Sequence, residues 1–356
     1  MIQIDGSYGE GGGQILRTSV ALSALTMNPV SIVNIRAGRS KPGLRRQHMA
    51  GIELVAKLVR ASVRGLEVGS TQIEFIPRSR SGGHFKFDVG TAGAISLVLQ
   101  AALPAAVLSP EPVLFSLVGG TDTKWCPPID YLINVFLSQL GRIGPKVRIT
   151  LEKRGHYPKG GGRVSCEVAP VEVINPLEVV EFGELAVVQG ISHCVRLPSH
   201  VAERQASAAE SLLRENSINE VEIGIESYQK NEDRHLGPGT GIVLWAKSET
   251  GACIGADQLG ERGVRAEDVG RRCAQQLLEE ILTGRAVDSH LADMLVPYLA
   301  LADGESRLGV AGVTEHLRTN LWVCEQFLDV DVELDERPDG TGLLVIKGVG
   351  LSLRDR

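Results

Sequence analysis

The chain has 356 residues, 43 % hydrophobic and 22 % charged, with 41 Gly, 16 Pro and a formal net charge of −6, proportions of a soluble globular protein rather than a fibre or a disordered tail. No stretch approaches the roughly 18 to 20 apolar residues of a membrane span, and the opening MIQIDGSYGEGGGQ lacks the charged-then-apolar order of a signal peptide, so a cytosolic location without a membrane partner is expected. The acidic balance excludes a protein-wide coating of nucleic acid, and any such partner must be held by a local patch.

Residues 1–80 predict a strand (MIQID), a Gly-rich turn, a helix over about 13–26, a strand (VSIVNIRAG), a helix over about 45–61 and two strands around SVRGLEV and TQIEFIP. The order recurs in the strand Phe85–Val89, a helix over 92–108, the strand VLFSLVGG, an amphipathic helix over 128–141, and the closing pair VRITLEK and RVSCEVAP. A third copy is split. PLEVVEF (176–182) is followed only at 289–302 by the helix SHLADMLVPYLALA, then by SRLGVAG, TEHLRTNLWVCEQFL, DVDVELDE and TGLLVIKG.

A period near 80 residues is too long for a solenoid, and one such layer cannot cover both faces of its own sheet, which points to duplicated βαβαββ units. The expected fold class is α/β (α+β). Its units span about 1–80, 84–170, and 171–183 plus 285–350, in a catalytic body of 1–183 and 285–356. The interval 184–284 then reads as an inserted small α+β domain, with strands VVQGISHCVRL, EVEIGIES, GIVLWAKS and GACIGAD and helices at ERQASAAESLLREN and 267–283. The turn-rich YQKNEDRHLGPGTG is its expected mobile loop.

Six cysteines lie far apart with no CxxC pair, and no His stands at metal-ligand spacing, so the cysteines read as small buried apolar residues rather than disulfides or a zinc site. Gly-Glu-Gly-Gly-Gly-Gln at 9–14 precedes a helix, where backbone N–H groups and the macrodipole can hold an anion. A tight strand-to-helix turn is the alternative. Glu10 would repel that anion unless a divalent metal lay between them. Arg36, Arg39, Lys41, Arg45 and Arg46 are five cations within eleven residues, followed by Gln47 and His48, with Arg17 one turn into the preceding helix. Arginine forks suit phosphate oxygens, whereas a solvated charged face is the plainer reading. His316, Thr319 and Asn320 share a polar face beside the apolar stripe Leu317, Leu321, Cys324 and Leu328.

Taken together, GEGGGQILR, IRAGRSKPGLRRQH, GGTD followed by PP, GHYPKGGG, PSHVAER, HLADM and TEHLRTN resemble the RNA 3′-terminal phosphate cyclase family, in order and over essentially the whole chain. The resemblance implies three βαβαββ repeats, as in enolpyruvyl transferases, plus an inserted thioredoxin-like domain. It implies ATP-dependent conversion of an RNA 3′-phosphate end to a 2′,3′-cyclic phosphate through a covalent histidine-AMP, with Mg²⁺ or Mn²⁺ as the metal. Residue by residue, the nucleophile falls on His316 and the ATP contacts on Gln100, on Pro127 and Pro128, and on His290, Leu291, Ala292, Asp293 and Met294. The metal and triphosphate contact falls on Glu10, and the RNA-phosphate contacts on Arg17, Arg36, Arg39 and Gln47. Met294 stands where bacterial members often carry Gln, and His290 replaces Tyr. The family implication is compatible with a homodimer. Non-catalytic relatives that bind RNA during ribosome assembly are expected to lack the histidine present here at 316, and an enolpyruvyl transferase needs two three-unit domains where this chain supplies three units.

Overall fold

The computed structural model describes residues 1–90 and 92–352. Thr91 and residues 353–356, the end of the expected catalytic span, lie outside the described residues. Strands β1 (Ile2–Asp5), β2 (Val30–Val33), β3 (Ser62–Arg64) and β4 (Ile73–Ile76) form a sheet of order β1-β2-β4-β3, with helices α1 (Gly13–Thr26) and α2 (Arg46–Leu58). β2 stops short of the expected VSIVNIRAG because Asn34 and Arg36 take left-handed φ values of 53° and 55°, which ends the extended run. α2 likewise ends before 61, ahead of Arg60 at φ 48°.

The next stretch gives β5 (Gly83–Asp88), α3 (Ile95–Val107), β6 (Val113–Gly119), α4 (Ile129–Tyr131), a π-helical turn at Leu132–Phe136, α5 (Leu137–Leu140), β7 (Lys146–Lys153) and β8 (Gly162–Ala169), in a sheet of order β5-β6-β8-β7. α3 starts later than the expected 92 because Ala94 stays extended and bridges to Gly120, whose carbonyl accepts the Ile95 N–H. The expected single helix over 128–141 is interrupted by the π turn.

After the short β9 (Glu178–Val179) come β10 (Leu185–Val195), α6 (His200–Glu215), β11 (Val221–Glu226), β12 (Gly239–Ser248), β13 (Cys253–Leu259) and α7 (Ala266–Leu282), with sheet order β11-β10-β12-β13. The chain closes with α8 (Ser289–Leu299), β14 (Glu305–Val310), α9 (Glu315–Phe327), β15 (Asp331–Glu336) and β16 (Gly342–Lys347). These strands join β9 in the order β9-β14-β16-β15. Only two residues of PLEVVEF thus form ladder strand, parallel to β14. Sheets one, two and the last share one order, in which the first two strands are parallel and the third and fourth run as an antiparallel pair.

Helices fill the centre. α1 packs on α9, α3 on α2, and α8 on the π turn, while α3 also touches α1 and α8. α3 is buried along almost its whole length, as its all-round apolar sequence ISLVLQAALPAAV demands. In α1 only Gly13 and Arg17 escape full burial. Each buried Leu, Ile or Val side chain contributes roughly 1.5–3 kcal/mol of burial free energy, so the polar exceptions stand out. Asp288 ties three elements together: it caps the first N–H groups of α8, accepts the Tyr131 hydroxyl of α4 at 2.7 Å and accepts the Gly255 N–H of β13 at 2.9 Å. Among the described residues no helix is long and apolar enough to cross a membrane. Five of the six cysteines are buried as expected, and Cys126 is only half-buried because it lies in the loop before α4. The loop containing Asp233 and His235 is tied down, since the Asp233 carboxylate accepts the Arg196 and His235 N–H groups.

Candidate active site

The Gly-rich turn between β1 and α1 places Gly9 and Gly11 in left-handed conformations of φ 58° and 56°, which glycine adopts without a Cβ penalty. Gly12 caps α1 in extended conformation without a side-chain hydrogen bond, so no side chain competes for the first-turn N–H groups that attract anions. α9 holds this turn. The Tyr8 ring stacks on Trp322 with centroids 4.0 Å apart and planes at 12°, and a Cβ on Gly9 would stand 2.7 Å from Thr319 Oγ1. Docked this way, Glu10 Oε2 lies 3.7 Å from His316 Nδ1 and 3.3 Å from Arg39 Nη2. Three residues singled out separately in the sequence converge on one half-exposed spot.

Burial pushes the His316 imidazole below its usual range; Glu10 opposes this, and Arg17, His290 and Arg39 reinforce it. His316 is therefore neutral at neutral pH. Its partners on the helical face are not solvated: Thr319 and Asn320 are buried, because α9 docks that face against α1 and the Gly-rich turn. Asn320 Oδ1 accepts Thr18 Oγ1–H and its Nδ2 donates to the Asp293 carbonyl, each at 2.6 Å. Asn320 therefore fixes α9 to α1 and α8.

Arg17 donates to Gln14 Oε1 one turn back in α1, and burial lowers its guanidinium to about 10, which leaves it charged. It borders two hollows. One is lined by Gln47, His48 and Ala101. The other, open to solvent, is lined by Gln100, Phe136, Asp293, Met294 and Asn320. The latter brings together three of the expected ATP contacts from α3 and α8. His290 is exposed in the first turn of α8, and Pro127 is half-buried just before α4. Leu291 and Ala292 are wholly buried in the core, so their side chains do not line the cleft; helical periodicity turns them into the core while Asp293 faces the hollow.

Arg36 is placed differently from Arg39. Its Nη1 donates to the Lys41 and Gly43 carbonyls at 2.9 and 3.0 Å, and Arg45 Nη2 also donates to Lys41 O at 2.9 Å. Arg36 thus shapes the basic loop, with part of its fork already engaged. Gln47 is exposed beside Arg17, whereas its neighbour His48 is buried, accepts the Arg45 N–H on Nδ1 at 3.1 Å and packs against Gly13. Burial, with Arg17, Arg36 and Arg45 nearby, lowers His48 to about 3.

The residues present fit a nucleotide and a hard cation. Glu10 offers a half-exposed carboxylate oxygen of the kind Mg²⁺ or Mn²⁺ takes when its other ligands are substrate phosphates and water. Two carboxyls lie close to His290: Asp293, already among the expected contacts, and Asp257, which was not legible as a site residue. Burial raises Asp293 to about 7, against the pull of His290 and Arg17, and raises Asp257 on β13 to about 6, opposed by His290. A single Asp at the end of an apolar strand carries no sequence signal for such a place.

A mixed α/β body with a histidine, a carboxylate and arginines at a Gly-rich helix start has the residue types of an enzyme that handles phosphate groups. The profile described as RNA 3′-terminal phosphate cyclase matches residues 8–334. The chain is 54 % identical over 334 residues to "RNA 3'-terminal phosphate cyclase" of Methanopyrus kandleri, covering 94 % of this chain and 95 % of the relative. It is 52 % identical over 350 residues to the protein of that name from Ignicoccus hospitalis, covering 98 % and 99 %, and 49 % identical over 354 residues to that from Staphylothermus marinus, covering 99 % of both. The chain belongs to the RNA 3′-terminal phosphate cyclase family of enzymes.

Proposed function

We propose that the chain converts the 3′-terminal phosphate of RNA to a 2′,3′-cyclic phosphate at the expense of ATP, with His316 as the nucleophile. The observation that carries this reading is a neutral, half-exposed imidazole whose Nδ1 faces Glu10 Oε2 at 3.7 Å. A proton held on Nδ1 leaves the Nε2 lone pair for attack. Nε2 attacks the α-phosphorus of ATP, and pyrophosphate leaves. An oxygen of the RNA 3′-phosphate then attacks that phosphorus, releasing the imidazole and forming a mixed anhydride. The 2′-hydroxyl attacks the terminal phosphorus, loses its proton and displaces AMP. That closure is intramolecular, and well-oriented cases reach effective molarities on the order of 10⁵ M.

In this reading Gln100, Asp293 and Met294 face the nucleotide, with His290 and Pro127 at the rim, and Arg17 stands between nucleotide and RNA phosphates. Arg39 and Gln47 receive the RNA phosphate, and Arg36 presents the loop that carries Arg39. A divalent cation held by Glu10 and the triphosphate would supply charge neutralisation at the departing pyrophosphate. We also infer that the three like-ordered sheets are copies of one βαβαββ unit in a body of 1–183 and 285–356, and that 184–284 is an inserted thioredoxin-like domain. The shared strand order and the cyclic packing of each unit's first helix on another unit's second helix support this. The test is incubation of a 3′-phosphorylated oligoribonucleotide with the protein and ATP. A terminus that resists phosphatase, with AMP and pyrophosphate released, is expected; a 3′-phosphate left untouched would refute the reading.

A further inference from the structure

Away from His316, the loop after β6 and the loop between β7 and β8 meet strand β10 in a buried polar cluster. Asp122, His156 and His193 are 2, 6 and 0 % exposed, and their ligand-capable atoms all lie within 4.8 Å of one another. Asp122 Oδ1 stands 3.7 Å from His193 Nε2, and Oδ2 stands 4.0 Å from His156 Nε2. Neither ring nitrogen of His193 has a hydrogen-bond partner, nor has His156 Nε2, although buried polar atoms are nearly always paired. Space for the rings is built in on β12, where a Cβ on Gly239 would stand 2.0 Å from the His156 ring and one on Gly241 3.0 Å from that of His193.

The charges are also unbalanced. Arg154 Nη1 lies 3.3 Å from Asp122 and 2.7 Å from Asp130, and its Nη2 lies 2.7 Å from Glu226. Three carboxylates thus face one guanidinium, and burial keeps both imidazoles below their usual range and neutral. If all three acids are ionised, two negative charges are left over. Thr121 Oγ1–H donates to Asp122 Oδ2 at 2.6 Å while accepting the Gly155 N–H at 2.8 Å, which fixes the carboxylate as outer-shell partners of metal ligands do.

We propose that Asp122, His156 and His193 bind one divalent transition-metal ion, zinc by preference, which clamps β10 to the two loops of the neighbouring sheet. Two imidazoles and a carboxylate suit zinc. Bonds of about 2.0–2.1 Å in tetrahedral geometry set ligand atoms roughly 3.3 Å apart, so ligand atoms that lie within 4.8 Å of one another draw in by at most about 1.5 Å on binding. With all three acids ionised, the +2 charge of the ion offsets the two carboxylates that Arg154 leaves unbalanced.

The test uses the full chain, stripped with chelator and dialysed against Zn²⁺ or Co²⁺, with Glu10→Gln as background to remove metal held at the other site. One equivalent of tightly held metal, the intense absorption of four-coordinate Co²⁺ and a metal-dependent rise in Tm are expected, all lost in His156→Gln and His193→Gln. Should those variants fail to fold, X-ray absorption of the zinc-loaded Glu10→Gln protein must show two imidazole ligands. Less than a tenth of an equivalent bound and no Tm shift, unchanged binding in the folded histidine variants, or a zinc shell without imidazoles would overturn the proposal. A Tm that rises with acid but not with metal would assign the balancing charge to protons and overturn it equally.

Discussion

Gly9→Ala tests whether α9 positions the Gly-rich turn. Two costs arise. The left-handed φ of 58° is unfavourable for an L side chain by roughly 1–2 kcal/mol. The new Cβ also meets Thr319 Oγ1 at 2.7 Å, an overlap in the range of overpacking costs of about 1–3 kcal/mol where the surroundings cannot move. The turn lies at the surface and can lift, so the second cost should appear as displacement of Glu10 from His316 rather than as unfolding. A Tm lowered by only a few degrees is expected, for about 1–2 kcal/mol in a chain of this size. Transfer of label from ATP to the protein should fall on the order of 100-fold, the penalty of about 1 Å of misplacement. Thr319→Ala in the same chain removes the colliding hydroxyl and should restore part of the rate, leaving only the backbone cost, a non-additivity that a double-mutant cycle reads directly. Wild-type labelling by Gly9→Ala would refute the positioning, and an equal loss in the double mutant would assign the defect to the backbone alone.

Arg39→Ala removes one half-exposed fork from the proposed RNA contact and should raise KM for a 3′-phosphorylated oligonucleotide about tenfold, near 1.5 kcal/mol for a hydrogen bond to a charged group; an unchanged KM in steady-state cyclisation would make the basic loop a solvated face. Asn320→Ala deletes two buried 2.6 Å hydrogen bonds and should destabilise the fold by about 2–4 kcal/mol in denaturant titration, whereas a loss below about 0.5 kcal/mol would mean that it does not cross-link α1, α8 and α9. His48 has a folded value of about 3 against an ordinary 6.5, so between those values the unfolded chain binds the extra proton and stability falls as pH drops. By pH 5 the loss should be about 2 kcal/mol, and His48→Asn should flatten the stability profile between pH 5 and 7; an unchanged slope would contradict the burial of a neutral ring.

Local patterns made much of the fold legible. The alternation and helical periodicity over 1–80 placed β1, α1, β3 and β4 within a few residues, because each buries an apolar face against its neighbours. Element ends were less legible where backbone sterics decided them, as at Asn34 and Arg36. Glu10, Arg39 and His316 each carried a signal, but their convergence rests on Tyr8 stacking on Trp322 and Gly9 meeting Thr319, contacts between residues some 310 positions apart. Arg36 looked equivalent to Arg39 in sequence, and only its positive φ and the Lys41 and Gly43 carbonyls separate the two. The absence of metal-ligand spacing hid Asp122, His156 and His193, because three separate segments bring them together.

The most direct test of the account is incubation of the protein with α-labelled ATP and Mg²⁺ or Mn²⁺, without RNA, followed by peptide mapping. Label on His316, labile to mild acid and stable to alkali, and absent from a folded His316→Asn protein, is the predicted result. Label that survives acid, maps elsewhere or persists in His316→Asn would contradict the account.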